Sequence, residues 1–286
     1  MSSMPPKFSI IVPTLNAGKH IASALESIAS QQCREYEILV IDGGSTDDTV
    51  EIAESFRHRL PLLHILSDRD GGIYGAINHG IFAASGDWIL VLGSDDRLRQ
   101  ESTLVLVAEI LVQVKSSIVY GDVMISGSNK YMAEGERYAG RLGFSELAKR
   151  NVCQQSIFYR RALFARVGGF DTRFRMCADW AFLLRHFFSE SPEWMDAVVA
   201  DYHAGGLSSR VVDNAFELSR PLIVLRSMLA RPFDPEIQAE RWLLRRLAGD
   251  CVYAGFRARA LLLTIGWAVL ALLSRVSPPR VSGSYS

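Results

Sequence analysis

Short apolar runs alternate with helical apolar repeats over the first hundred residues. The runs predict four strands, Phe8–Val12, Glu37–Ile41, Leu62–Leu66 and Trp88–Leu92. Between them, apolar residues recur at every third or fourth position and predict helices over 21–28, 45–56 and 73–84, the second opening in a capping box at Ser45–Asp48. Because the strands are apolar on both faces, the pattern predicts an α/β fold whose mostly parallel, Rossmann-like sheet is covered by helices on each side.

The second half of the chain is less regular. It predicts three more strands, Ser117–Val123, Ile157–Tyr159 and Trp194–Tyr202, and helices over 160–167 and from Asp179 through Phe188. Everything from Phe216 onwards has a helical pattern. We therefore expect one α/β domain over residues 1–210, in halves 1–100 and 101–210, followed by a helical extension over 211–286.

Composition narrows the class of protein. Lys plus Arg and Asp plus Glu are both 31, so no basic excess points to a nucleic-acid partner. The four cysteines lie far apart without a C-x-x-C pair, which argues against a zinc site and a disulfide framework and favours a reducing compartment. The segment Met1–Lys7 lacks the apolar stretch of a signal peptide, so we expect a cytoplasmic protein.

Polar residues follow each of the four early strands. Ligands of parallel sheets bind beyond the carboxyl ends of the strands, which makes these positions the first candidates for a site. The strand ends are Pro13–Asn16, Asp42–Gly44, Ser67–Asp68 and Gly93–Asp96. Neither a dinucleotide fingerprint nor a P-loop follows the first strand, so those two classes of nucleotide site are disfavoured.

Two of these strand ends carry acids with competing interpretations. Asp95 and Asp96 suit Mg²⁺ or Mn²⁺, which prefer carboxylate ligands and share their remaining positions with phosphate oxygens. The alternative is a polar turn in which Asp96 caps the helix that starts near Glu101. Asp42 either accepts a hydrogen bond from a nucleobase or belongs to an ordinary Asp-Gly-Gly turn.

Four motifs occur in a fixed order, and together they carry a resemblance to a known family. They are Phe8–Asn16 (FSIIVPTLN), Glu37–Asp47 (EILVIDGGSTD), Asp70–Asn78 (DGGIYGAIN) and Gly86–Asp96 (GDWILVLGSDD). Over residues 8 to 210 the chain resembles the family 2 glycosyltransferases of the GT-A fold. The resemblance implies an inverting hexosyltransferase that moves a sugar from a nucleotide-sugar, most often a UDP-sugar, to an acceptor hydroxyl, with a lipid-linked glycan of a cell-surface polysaccharide as the expected acceptor.

The resemblance also implies roles for individual residues. Pro13, Thr14 and Asn16 are expected to contact the nucleoside, and Asp42 its nucleobase. Gly72 and Asn78 are expected to line the donor site. Asp96 is expected to bind the metal ion, and Asp95 the ribose or the metal ion. Gly75 departs from the family, where many relatives have an acid after the tyrosine. Residues 1–100 are then the nucleotide-binding half and 101–210 the acceptor half.

The same resemblance assigns the catalytic base to Asp179, at the head of a predicted helix. Inversion requires a base that takes the proton of the acceptor hydroxyl. The alternative is that Asp179 only caps its helix. Gln155 is expected to touch the acceptor or the donor sugar, whereas His203 and Asp171 are expected to be structural.

The C-terminal extension leaves two questions open. Residues 260–274 are uncharged and flanked by arginines, so they form either a core helix or a segment on the cytoplasmic face of a membrane. Gln238–Trp242 matches the Q-x-x-R-W pattern of processive polysaccharide synthases, although chance explains this match better. The alternatives to a single-addition enzyme are thus a processive synthase and a nucleotide-binding GT-A protein without turnover.

Overall fold

The computed structural model describes residues 7–68, 71–129, 132–138, 140–206 and 211–276. Within these ranges the strands are β1 (Phe8–Thr14), β2 (Tyr36–Asp42), β3 (Leu63–Ser67), β4 (Trp88–Val91), β5 (Arg97–Leu98), β6 (Ile118–Ser126), β7 (Arg137–Tyr138), β8 (Ile157–Arg160) and β9 (Glu193–His203). The helices are α1 (Ile21–Ala29), α2 (Thr49–Ser55), α3 (Gly72–Ala83), α4 (Thr103–Leu111), α5 (Phe144–Leu147), α6 (Arg161–Val167), α7 (Ala178–Glu190), α8 (Asn214–Leu229), α9 (Pro235–Glu240), α10 (Trp242–Tyr253) and α11 (Arg257–Val276).

The described strands form one sheet in the order β3-β2-β1-β4-β8-β6-β9-β5, and β7 pairs with β6. Strands β3, β2, β1 and β4 are parallel to one another, as are β6 and β9. Strand β8 is antiparallel to both β4 and β6, and β5 is antiparallel to β9. The prediction of an α/β fold with a mostly parallel sheet is confirmed, and each antiparallel pair includes at least one strand of the acceptor half.

The sheet separates two apolar layers. Successive side chains of a strand point to opposite faces, so Ile11 joins one cluster while Ile10 and Val12 join the other. Strand β2 divides in the same way, and all seven of its residues are buried. This two-sided burial is what the unbroken apolar runs predict for a sheet with helices on both faces.

Three local expectations differ from the structure. The capping box at Ser45–Asp48 does not form, because Ser45 bonds to Asp42 and helix α2 begins only at Thr49. Asp96 does not cap α4, whose N-cap residue is Ser102. The two-residue strands β5 and β7 have no counterpart in the sequence pattern, since two residues are too few to show a period.

The C-terminal helices pack against the acceptor half. Phe216 of α8 stacks on Trp180 of α7, with ring centroids 4.8 Å apart. Buried residues of α8, α10 and α11 belong to the same apolar cluster as those of α7. Asp213 accepts hydrogen bonds from the backbone N–H groups of Met176 (2.8 Å) and Phe216 (3.1 Å), which ties the start of α8 to the segment before α7.

Helix α11 is longer than the uncharged stretch 260–274, because it includes two arginines at its start. In the described part of the chain it is the one helix long and apolar enough, by length and composition, to cross a membrane. Such a helix is weak evidence of a span, since core helices pass the same test.

Candidate active site

Asp96 is buried beyond the carboxyl end of β4. Its side chain is 4% exposed. Gln155 donates to its Oδ2 from Nε2 at 2.8 Å, and the backbone N–H of His203 donates to its Oδ1 at 2.8 Å. These donors come from the start of β8 and the end of β9, which the antiparallel β4–β8 pairing and the parallel β6–β9 pairing bring to this edge of the sheet.

Burial and, next in size, the charge of the neighbouring Asp95 raise the pKa of Asp96 to about 8, although hydrogen bonds from His203 and Gln155 oppose the rise. No Lys or Arg ion pair to either carboxylate occurs among the described residues. Nor does that part of the chain hold a group of three or more His, Cys, Asp or Glu arranged for a metal ion. Two adjacent carboxylates without a cation nevertheless fit a divalent ion that takes its other ligands from phosphate oxygens.

Asp179 is the second buried acid. It is 4% exposed and is the second residue of α7, whose N-cap is Cys177, so the alternative that Asp179 caps this helix is wrong. Tyr74 donates to Oδ1 from its hydroxyl at 2.6 Å, and Asn151 donates to Oδ2 from Nδ2 at 2.8 Å. Burial raises the pKa of Asp179, and the hydrogen bonds from Tyr74 and Asn151 oppose that rise.

One short segment, Asn151–Gln155, connects the two acids. Its first residue bonds to Asp179 and its last bonds to Asp96. Between them, burial raises the pKa of the Cys153 thiol, and the charges of Asp96 and Asp179 both act in the same direction. The two carboxylates therefore belong to one continuous site at the start of β8.

The ends of β1 and β2 form a second part of this edge. Asn16 has a positive φ of 50° and accepts a hydrogen bond from the N–H of Thr46 at 2.9 Å. Asp42 is buried and accepts from Ser45 through both its N–H (3.0 Å) and its hydroxyl (2.5 Å), so its carboxylate organises the turn that follows β2. The buried hydroxyl of Thr14 has no hydrogen-bond partner in the part of the chain that the structure describes, whereas Pro13 is half-buried within β1.

Gly72 and Asn78 of the third motif, Asp70–Asn78, have different surroundings. Gly72 has a φ of +60°, and an added Cβ there would meet no atom of the described residues within 4 Å. Asn78 instead uses both ends of its amide on the backbone of Phe170, donating to its C=O and accepting from its N–H at 2.8 Å each. Asp70, which begins this motif, lies outside the described residues.

Residues expected to be structural have structural contacts. Asp171 pairs with Arg173 at 2.7 Å and with Arg185 at 2.8 Å, and the hydrogen bond from Arg173 is the main cause of its lowered pKa. His203 reaches Asp96 through its backbone, while its ring lies 5.9 Å from that of His20. The Gln238–Trp242 segment spans the junction of α9 and α10.

Sequence reasoning missed two residues of the site, Tyr74 and Asn151. Tyr74 stands inside a motif that was recognised, but its hydroxyl meets a carboxylate 105 positions away. Asn151 stands four positions before Gln155, in a stretch that has no periodic pattern. Both are polar residues next to recognised motif positions, and that proximity was the one signal available.

Comparison with known proteins identifies the family. The family model described as "Glycosyl transferase family 2" matches residues 9–174, more than half of the chain. A "PGL/p-HBAD biosynthesis glycosyltransferase" of Mycobacterium bovis (strain BCG) is 42% identical over 223 residues, which are 76% of this chain and 85% of that one. An "Uncharacterized glycosyltransferase" of Mycobacterium tuberculosis is 29% identical over 209 residues, 71% of this chain and 78% of that one.

Solved structures show the same fold at low sequence identity. The S. aureus TarS 1-349 complex with UDP-GlcNAc has a TM-score of 0.66 at 22% identity, covering 84% of this chain and 72% of that chain. The mannosyltransferase PcManGT from Pyrobaculum calidifontis, in complex with GDP-Man and Mn²⁺, has a TM-score of 0.60 at 20% identity and covers 96% and 82% respectively. The chain therefore belongs to glycosyl transferase family 2 and is a glycosyltransferase of the GT-A fold.

Proposed function

We propose that this glycosyltransferase inverts the anomeric centre of a UDP-sugar and transfers the sugar to a hydroxyl of a glycan acceptor that is linked to a lipid. The observation that carries the proposal is the joining of Asp96 and Asp179 by Asn151–Gln155. That segment places an acid suited to the donor phosphates and an acid suited to proton transfer in one site.

Asp179 is the proposed general base. The acceptor oxygen attacks the anomeric carbon, the bond from that carbon to the phosphate oxygen breaks, and the hydroxyl proton passes to Asp179. A buried carboxylate whose pKa is raised is a better match to a working pH near neutrality than an ordinary aspartate. Tyr74 and Asn151 keep both of its oxygens oriented.

The strand ends of the first half are the proposed donor site. Asp96 and Asp95 would hold Mg²⁺ or Mn²⁺, and a bound ion would supply positive charge to stabilise the leaving diphosphate. Pro13, Thr14, Asn16 and Asp42 line the nucleoside, and the unpartnered hydroxyl of Thr14 supplies a free hydrogen-bonding group there. Gln155, which bonds to Asp96, is the proposed contact of the acceptor or the donor sugar.

The relatives support the donor and acceptor classes. The TarS complex contains UDP-GlcNAc, whereas PcManGT contains GDP-Man and Mn²⁺, so both a nucleotide-sugar and a divalent ion have precedent in this fold. The mycobacterial relative is named a "PGL/p-HBAD biosynthesis glycosyltransferase". We favour UDP because the resemblance to family 2 most often implies a UDP-sugar as the donor. The cytoplasm, where nucleotide-sugars occur, is the proposed location.

The donor and the base are tested with one variant. Asp179→Asn keeps the shape of the side chain but cannot take up a proton. With a panel of UDP- and GDP-sugars and Mn²⁺, we expect the variant to bind the donor nucleotide as the wild type does. Transfer to acceptor falls by roughly 10²–10⁴-fold, the usual effect of removing a general base. Donor binding is followed by thermal shift and transfer by release of the nucleoside diphosphate.

Asp171→Asn is the matched control, because this acid precedes the same helix but pairs with surface arginines. Transfer at the wild-type rate by Asp179→Asn would contradict the assignment of the base. Full activity in excess EDTA would contradict the requirement for a metal ion. A product that retains the anomeric configuration would contradict the inverting mechanism. A processive enzyme would release long products, and a protein without turnover would release no nucleoside diphosphate.

A further inference from the structure

Helix α11 has two apolar faces on opposite sides. The inner face packs against α8 and α10, with Leu263 and Leu270 fully buried. The outer face carries Leu261, Ile265, Val269 and Leu272, at positions i, i+4, i+8 and i+11, and their exposed fractions run from 39% to 61%. A helix on the surface of a water-soluble protein normally has polar residues on its outer side, so this row requires an explanation.

The turn before α11 carries further exposed apolar residues at the start of this helix. Tyr253 is 97% exposed, and Val252 and Phe256 are exposed beside it, where α10 ends and the chain turns at Gly255 with a φ of +82°. Aromatic residues of this kind are enriched where a protein meets the headgroup layer of a membrane. The row and the turn together, from Val252 to Leu272, are called the outer face below.

The charges in the segment that contains the outer face are mainly positive. Residues 241–276 contain six arginines and a single acid, Asp250, although the whole chain has a formal net charge of zero. Arg246 and Arg257 are exposed, and Arg259 stacks on the ring of Phe256 at 4.8 Å. Arginines beside an apolar surface match the anionic headgroups of a bilayer.

The same charges disfavour a second copy of this chain as the occupant. A twofold interface would bring each outer face against itself and would place the arginines of both copies together. A vesicle with anionic lipid instead supplies the opposite charge and an apolar layer at once.

We infer that the outer face of α11 docks on the surface of an anionic lipid bilayer, with the helix lying in the plane of that surface. A spanning helix is a poorer fit, because the inner face is held by the protein. An added Cβ at Gly266 would lie 2.2 Å from Cδ1 of Leu225, which shows how closely α11 and α8 approach. The inference does not depend on the identity of the donor or of the acceptor.

The test is binding of the full chain to sucrose-loaded vesicles. We expect sedimentation with vesicles of phosphatidylcholine and phosphatidylglycerol, and weaker sedimentation with phosphatidylcholine alone. The triple variant Leu261→Ser, Ile265→Ser, Leu272→Ser should lower the partition coefficient at least about tenfold, since membrane affinity scales with the apolar groups that enter the interface. Circular dichroism and a thermal melt verify that the variant is folded.

Two further variants keep the test decisive. The matched control Phe82→Ser, Leu106→Ser, Val112→Ser removes apolar residues that are equally exposed on α3 and α4, and we expect its vesicle binding to equal that of the wild type. Arg246→Gln with Arg257→Gln should remove most of the preference for phosphatidylglycerol.

Three results would overturn the inference. The first is that the wild type does not sediment with either kind of vesicle. The second is that the control variant with three substitutions on α3 and near α4 loses as much vesicle binding as the triple variant of α11. The third is a wild-type dimer, seen by light scattering, that does not bind vesicles and that the α11 triple converts to a monomer.

Discussion

The residue whose environment is most unusual is Asp179. A carboxylate that is 4% exposed keeps its charge only where hydrogen bonds replace the lost water. Tyr74 and Asn151 provide those bonds, one to each oxygen. Burial and the neighbouring Asp179 both raise the pKa of Tyr74 well above its usual range, so its hydroxyl remains a donor at any pH at which the enzyme works.

Tyr74→Phe should therefore shift the acidic limb of the pH–rate profile to higher pH. Removal of a hydrogen bond to the ionised carboxylate raises the pKa of Asp179, and the base must be deprotonated to act, so activity at low pH is lost first. A hydrogen bond to a charged group contributes about 1.5–3 kcal/mol. This corresponds to a shift of roughly one to two pH units, measured on kcat/KM.

Tyr159→Phe is the matched control for Tyr74→Phe. Tyr159 is fully buried in the aromatic cluster around Phe170, and its hydroxyl has no hydrogen-bond partner. Its removal should leave the pH profile unchanged. A Tyr74→Phe enzyme with the wild-type profile, or a Tyr159→Phe enzyme with the same shift, would contradict the positioning role of the Tyr74 hydroxyl.

At the level of single residues, the sequence predicts the acids better than their partners. Asp96 follows a strand and Asp179 stands in the first turn of a helix, so local sequence patterns indicate both positions. The Tyr74–Asp179 and Asn151–Asp179 bonds join residues 105 and 28 positions apart, so no local pattern reports them. Asn78 was expected at the donor site, yet both ends of its amide bond to Phe170, and its contact with a donor stays a prediction.

At the level of elements, long periodic segments were predicted well and short ones were not. Strands β1 to β4 lie within two residues of their predicted bounds, whereas β5 and β7 have two residues each. From the sequence, residues 260–274 form either a core helix or a membrane segment. The structure buries the inner leucines of α11, as in a core helix, and exposes the outer leucines, so contact with a membrane stays a prediction.

Two leucines of α11 provide a matched pair. Leu263 is fully buried and Leu261 is 61% exposed. Leu263→Ala should lower the free energy of unfolding by about 2–5 kcal/mol, the usual cost of a cavity in a packed core. Leu261→Ala, the same change on the same helix, should alter it by no more than about 0.5 kcal/mol. Urea denaturation measures both values, and equal losses would mean that the two faces are not distinct.

At the level of the whole molecule, the sequence predicted a separate helical extension over 211–286. The structure describes one apolar cluster that runs from α7 into α8, α10 and α11. Arg220 of α8 stacks on Trp180 at 5.3 Å and donates to the C=O of Ala148 at 3.2 Å. Contacts of this kind depend on which helix faces meet, and the period of each helix alone does not give that information.

The shared cluster predicts that residues 1–210 do not form a stable enzyme. A chain that ends at residue 210 would expose the faces of Phe174 and Trp180 that now pack on Phe216, and would remove the bonds from Asp213 to the segment before Asp179. We expect this chain to aggregate or to unfold without a cooperative thermal transition. The matched control ends at Val276 and should melt as the full chain does. If the chain of residues 1–210 instead melts cooperatively at the wild-type temperature and binds the nucleotide, the C-terminal helices are an independent unit.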